Sequence, residues 1–241
     1  MPFPLAHPAA VLPLRRYCPR WLNFPALVIG SICPDVGYCF GRLRLARFSH
    51  RFLAGSFGFC LPVGLLLLLL FYLVRRPVVQ RLPARQREIY EPLCQRPAGP
   101  LPIIVVSLLI GVWSHLLLDS ITHEDGWFVE HLPVLQESVI RGNCHFRICD
   151  LLYAGCTLVG TACVAFSYLN WIERSARTQD RMWPGLKPIS VLALAAATLL
   201  ISSTAHSPHP SLGLVSVGLL TTALVAVFLV ATGWTSRNVR L

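Results

Sequence analysis

Lysine is almost missing from this chain: Lys187 is the single one in 241 residues. Charged side chains of either sign make up only 13% of the sequence, about half the share that a soluble domain carries. That scarcity excludes an ordinary solvated globular surface. The nine cysteines include no CxxC pair. The segment Met1-Pro2-Phe3-Pro4-Leu5-Ala6-His7 has no basic region and no long apolar core, so it is not expected to be a cleavable signal peptide. There is no GxSxG elbow, no glycine loop that would cradle a phosphate, and no defensible Ser–His–Asp arrangement.

Apolar residues are plentiful instead, at 54%, with a mean hydropathy of +0.59. The expected class is an all-α, polytopic helical membrane protein forming one integral membrane domain over residues 1–241. Five runs have the length and apolarity for a bilayer, which needs about 20 residues: Phe52–Val74, Leu101–Thr122, Leu151–Trp171, Ile189–Thr204 and Leu212–Trp234. Phe24–Phe40 is a further apolar segment, interrupted by Pro34-Asp35. It reads as a partly buried or re-entrant helix, because a proline and a carboxylate suit a lipid-facing span poorly. Residues 1–51 thus form a polar or re-entrant N-terminal region, and 52–241 a helical bundle. From His131 to about Ile140, Leu132, Leu135 and Val139 predict a short amphipathic helix lying in the interface. Cys60, Cys156 and Cys163 fall inside spans and read as small packing residues, whereas Cys144 and Cys149 share a loop and can pair if it is oxidised.

The net charge of +10 comes from arginines in loops beside apolar runs. It fits anionic headgroups and the positive-inside bias, not nucleic acid. With five spans, one face holds residues 75–100, the Glu173–Lys187 loop and the tail after Trp234, and with them twelve basic residues. The two later loops of the other face hold Arg141 and Arg147 alone. The arginine-rich connectors are therefore expected in the cytoplasm. The N-terminal region runs against this, with Arg15, Arg16, Arg20, Arg42, Arg44, Arg47 and Arg51. Part of that conflict disappears if Phe24–Phe40 crosses the membrane. With five spans all eight histidines fall on the other face, which the loop charges put outside the cytoplasm.

The chemistry-bearing stretch is Ser114-His115 … Asp119 … Thr122-His123, at the end of the second run. His115, Asp119 and His123 recur every four residues, so on a helix they share a side. Two imidazoles and a carboxylate are the donors that a divalent transition metal takes. His50 opens the first span, Asp35 lies in the Pro34-Asp35 step and His7 near the start. Zinc heads the expected metals, with manganese or iron where oxygen donors dominate. Four histidines and two carboxylates exceed one tetrahedral site, so some orient others or two ions bind. The same residues also fit polar glue between helices, or a proton or ion pathway. His206 and His209 in their turn, and Glu124-Asp125 past the helix end, read as solvated groups. Arg141 and Arg147 are more often lipid contacts than phosphate ligands.

The His7-Pro8-Ala9-Ala10-Val11-Leu12-Pro13-Leu14 start, Ala26–Ser31 with Pro34-Asp35, Ser49-His50, and Ser114-His115 … Asp119 … Thr122-His123 together resemble a bacterial multi-pass membrane family, the domain of unknown function 4184. That family is distantly similar to proteins described as membrane-bound metal-dependent hydrolases. The resemblance implies His7, Asp35, His50, His115, Asp119 and His123 as metal ligands, and residence in the bacterial plasma membrane. Arg51 departs from it, standing where a small polar residue is expected. Two functions follow. One is a metal-dependent hydrolase of a lipid or envelope precursor, with Asp35 or Asp119 as general base. The other is a non-enzymatic membrane protein with a structural or ion-conducting cluster. The oligomeric state is left open by either.

Overall fold

A computed structural model describes residues 4, 6–40, 43–82, 84–141 and 144–175. In chain order the elements are α1 (Pro8–Val11), a 3-10 turn (Leu12–Tyr17), α2 (Phe24–Cys39), α3 (Leu43–Ser49), α4 (Phe52–Gln80), α5 (Ala84–Cys94), α6 (Leu101–Thr122), α7 (Trp127–His131), α8 (Pro133–Gln136), β1 (Ser138–Arg141), β2 (Cys144–Arg147) and α9 (Ile148–Ser175). Among the described residues α4, α6 and α9 are long and apolar enough to cross a membrane. The first of these runs on beyond Val74 through Arg75 and Arg76, and the third starts three residues before Leu151. The apolar runs Ile189–Thr204 and Leu212–Trp234 lie outside the described residues.

α2 is the inner element of the bundle. Asn23 sets where it starts: its side chain accepts the Ala26 N–H at 2.8 Å, and its amide donates to the Ala98 carbonyl at 2.6 Å and the Tyr72 hydroxyl at 3.2 Å. Its backbone N–H goes to Ser107 at 2.8 Å. An N-cap with its donors satisfied is a strong local start signal, and Pro25 in the first turn lacks an N–H that would be orphaned there anyway. At about 1.5 Å per residue α2 reaches roughly 24 Å, short of the roughly 30 Å bilayer core. It runs in the same direction as α6, because Asn23 meets Ser107 at one end and Asp35 meets His115 near the other.

The α2–α6 seam depends on two glycines. A Cβ on Gly30 would collide with the Leu108 backbone carbonyl, and one on Gly111 with the Leu27 carbonyl and the Ser31 amide. Absent side chains let the backbones come this close. Leu27, Leu108 and Val112 fill the seam around them and are fully buried. α4 packs alongside in the opposite direction, with a π-helical turn at Ser56–Cys60. There the Cys60 thiol donates to the Ser49 carbonyl and the Cys33 thiol to the Cys60 carbonyl.

The N-terminal segment begins at one end of the bundle and reaches the other before α2 starts. Ala6 lies against Gly160 of α9, where a Cβ would strike the Ala6 backbone. Asn23 lies beside Ala98 and Tyr72, and Arg75 covers the Tyr72 ring at 4.2 Å while binding the Arg96 carbonyl at 2.8 Å. Arg15, stacked over Phe24, therefore belongs to the end that carries Arg75 and Arg96.

One local expectation is corrected. A single helix over His131–Ile140 is replaced by α7, α8 and a two-stranded antiparallel hairpin that pairs Ser138 with Arg147. Pro133 is the cause. Leu132 before it is extended (φ −114°, ψ 95°), as a residue preceding proline prefers, and the helix stops. Cys149 is a buried free thiol.

Gly111→Leu should force α2 and α6 apart. Thermal unfolding in detergent should show a loss of at least about 1–3 kcal/mol, the usual cost of overpacking a tight contact. Gly155→Leu, at a position with open space around it, should leave the melting temperature unchanged.

Candidate metal centre

Five of the six ligand-type residues named from the sequence converge near the C-terminal ends of α2 and α6. The Asp35 carboxylate comes from the last turns of α2, His115 and Asp119 from one side of α6, His50 from the step after α3, and His7 from the residue capping α1. His7 and His115 are fully buried, and the two carboxylates nearly so.

The distances tie these groups into one cluster. His115 Nε2 lies 3.1 Å from Asp119 Oδ2 and 3.6 Å from Asp35 Oδ1. His50 Nε2 lies 3.4 Å from Asp119 Oδ2 and 3.9 Å from Asp35 Oδ1. His7 Nε2 is 3.8 Å from Asp119 and 4.0 Å from Asp35, with its ring stacked on His115 at 3.7 Å. Ligand atoms of His7, Asp35 and His115 fall within 4.8 Å of one another, as do those of His50, His115 and Asp119. These groups could hold a metal ion. His115 belongs to both triplets, and its single Nε2 lone pair serves one ion only.

Backbone carbonyls decide which ring nitrogen faces the cluster. His115 Nδ1 is 2.8 Å from the Ser31 carbonyl, and His50 Nδ1 is 2.8 Å from the Ala46 carbonyl. A carbonyl only accepts, so both Nδ1 atoms carry the proton. In the neutral ring Nε2 then holds a lone pair. Those lone pairs face carboxylate oxygens, and neither His115 Nε2 nor the four oxygens of Asp35 and Asp119 make a hydrogen bond. Lone pair against carboxylate repels unless a positive charge stands between. A proton on each ring or a cation in the middle would answer it, and a ring N–H bound to a carbonyl is the usual support of a metal-ligating histidine. Burying the Asp35 and Asp119 carboxylates side by side disfavours two negative charges there. A divalent cation would remove that penalty, because it is attracted to both carboxylates at once.

His123 takes a different place. Helix α6 ends at Thr122, and His123 is its extended C-cap (φ −107°, ψ 144°), so the four-residue periodicity breaks there. Its Nδ1 meets the Asp119 carbonyl at 3.1 Å and lies 3.7 Å from Asp119 Oδ1, at the partly exposed rim. It belongs to neither converging triplet. His131 is farther out, stacked on Trp127 and bound to its carbonyl.

The sequence reading missed the orienting groups. The carbonyls of Ser31 and Ala46 carry no side-chain signal. Ser49 is visible as the residue before His50, but its role is not: its hydroxyl donates to the Pro34 and Ala46 carbonyls, at 2.9 and 2.7 Å, and so ties α3 to α2. Tyr38 stands edge-on to His50, with ring centroids 5.5 Å apart.

The chain belongs to the family described as Domain of unknown function (DUF4184), whose model matches residues 1–233. No curated protein and no solved structure matches the chain.

If the cluster holds a cation, Asp35→Asn and Asp119→Asn, each singly, should cut the metal content of the purified protein by more than half. His131→Gln should leave it unchanged. Elemental analysis of the three variants beside the wild type decides the matter. Equal metal in all four would count against these carboxylates as ligands.

Proposed function

We propose that this chain is an integral protein of a bacterial plasma membrane that holds a divalent metal ion, zinc first, at its extracytoplasmic face and hydrolyses a phosphoester or amide of a lipid or envelope precursor there. The observation behind this reading is the set of buried imidazole lone pairs and carboxylate oxygens turned on one another, with no hydrogen bond to answer them. Ionisable groups at such depth are expensive, and they are kept where they do chemistry.

Three long apolar helices and the further runs Ile189–Thr204 and Leu212–Trp234 support five spans. The course of the N-terminal segment supports the orientation. Arg15 lies with Arg75 and Arg96 at the end opposite the cluster, so part of the apparent charge conflict in the sequence goes away. The arginine-rich end then faces the cytoplasm.

His50, His115, Asp119, Asp35 and His7 would hold the ion, with His123 at the rim. A bound divalent ion supplies a Lewis acid and makes water more acidic near neutral pH. The chain's own residues do the rest. Ser31 and Ala46 keep the imidazoles turned inward. An oxygen of Asp35 or Asp119 not taken up by the ion accepts the proton of the attacking water. α2, α6 and α1 enclose the cluster from within the bundle, and His50 and His123 are its partly exposed members.

Protein purified in detergent without chelators should contain zinc, manganese or iron, and His50→Ala with His115→Ala should abolish that content. A chelator should lower the melting temperature and added metal restore it, since an ion at 100 times its Kd stabilises the folded state by about 2.7 kcal/mol. Wild-type protein with almost no metal, and a melting temperature blind to both treatments, would sink the proposal.

A further inference from the structure

The arginines that disobey the charge asymmetry are those beside the cluster. Arg15 lies at the end away from it. Arg44, Arg47 and Arg51 lie on and just after α3, the element that ends at Ser49, next to His50. Together with Phe48 they line a surface groove. Arg51 adjoins His50 in the chain. Phe48 and Arg51 flank Ser49-His50 in the chain, so the groove lies on the stretch that carries His50 to the cluster.

Among the described residues none of these three arginines makes an ion pair. Arg147, in the Glu124–Asp150 stretch on the same side, is answered by Glu124 at 2.8 Å. Three exposed guanidiniums at one groove are a poor arrangement without an anion, because like charges repel and each fork offers paired N–H donors. The residues after Arg51 give the groove an apolar flank: Phe52 and Leu53 are 59% and 62% exposed. Lipid tails would cover such a flank.

We propose that this groove recognises the phosphate of the substrate, so that the ligand is a phosphate monoester or diester, carried on an apolar chain or free in solution. The proposal rests on the metal-centre reading and narrows its substrate from phosphoester or amide to phosphoester. A neutral amide would leave all three guanidiniums unpaired.

The test uses the full chain in detergent, titrated with phosphatidic acid in mixed micelles, with soluble glycerol phosphate, and with diacylglycerol as the phosphate-free control. The wild type is compared with a triple variant, Arg44→Gln, Arg47→Gln and Arg51→Gln, and metal content is measured in every sample. Phosphatidic acid should bind the wild type at least about tenfold more tightly than the variant, as expected for the loss of even one charge-assisted hydrogen bond. Diacylglycerol should not distinguish them, and inorganic phosphate should displace phosphatidic acid from the wild type, a readout that needs no variant. Glycerol phosphate binding as tightly as phosphatidic acid supports a soluble phosphoester; phosphatidic acid alone binding supports a lipid one. Equal affinity of the two proteins for phosphatidic acid, or no displacement by inorganic phosphate, overturns the groove. Metal-loaded wild type without arginine-dependent binding refutes the groove and leaves the metal centre standing. Arginine-dependent binding in metal-free protein does the reverse.

Discussion

Two carboxylates, Asp35 and Asp119, are buried on neighbouring helices with their oxygens turned into a common space. Like charges at that separation repel strongly where water is scarce. The fold brings them together nonetheless, and much of the surrounding structure serves that approach. α2 and α6 meet at Gly30 and Gly111, where any side chain would strike a carbonyl. Asn23 anchors the other end of α2 to Ser107, Ala98 and Tyr72. A bundle that only had to bury apolar surface would place Leu or Ile at these positions and keep the carboxylates out.

The imidazoles show the same purpose at finer scale. Ser31 and Ala46 lend carbonyls that hold the protons of His115 and His50 on the outer ring nitrogen. The inner nitrogens then present lone pairs to the cluster. A ligand sphere supported from behind would have this arrangement, and protonated rings facing the carboxylates would share it. α3 adds the last imidazole and is itself tied to α2 through the Ser49 hydroxyl.

Much of the buried His/Asp cluster was legible in the sequence, because His and Asp are rare and costly in apolar surroundings and stand out there. His7, Asp35, His50, His115 and Asp119 come together although the chain separates the first from the last by more than a hundred residues. His123 looked equivalent to His115 by its spacing, and the early end of α6 sets it apart. The signal for that was present in Glu124-Asp125-Gly126, which reads as a helix stop. The expected interfacial helix failed at Pro133 for a similar local reason, since proline governs the residue before it.

Composition and periodicity alone determined that this chain is helical, that its long runs have the length and apolarity of membrane spans, and which side chains carry ligand chemistry. Those properties follow from what each residue costs in apolar surroundings, a cost paid wherever the chain goes. Tertiary structure alone decided that α2 and α6 run in the same direction, that the segment before α2 reaches the far end of the bundle, and that Arg44, Arg47 and Arg51 stay beside the cluster. It also decided which ring nitrogen faces inward. These depend on backbone carbonyls and on the close approach of two glycines, and neither a carbonyl nor an absent side chain leaves a mark on residue type that names its partner.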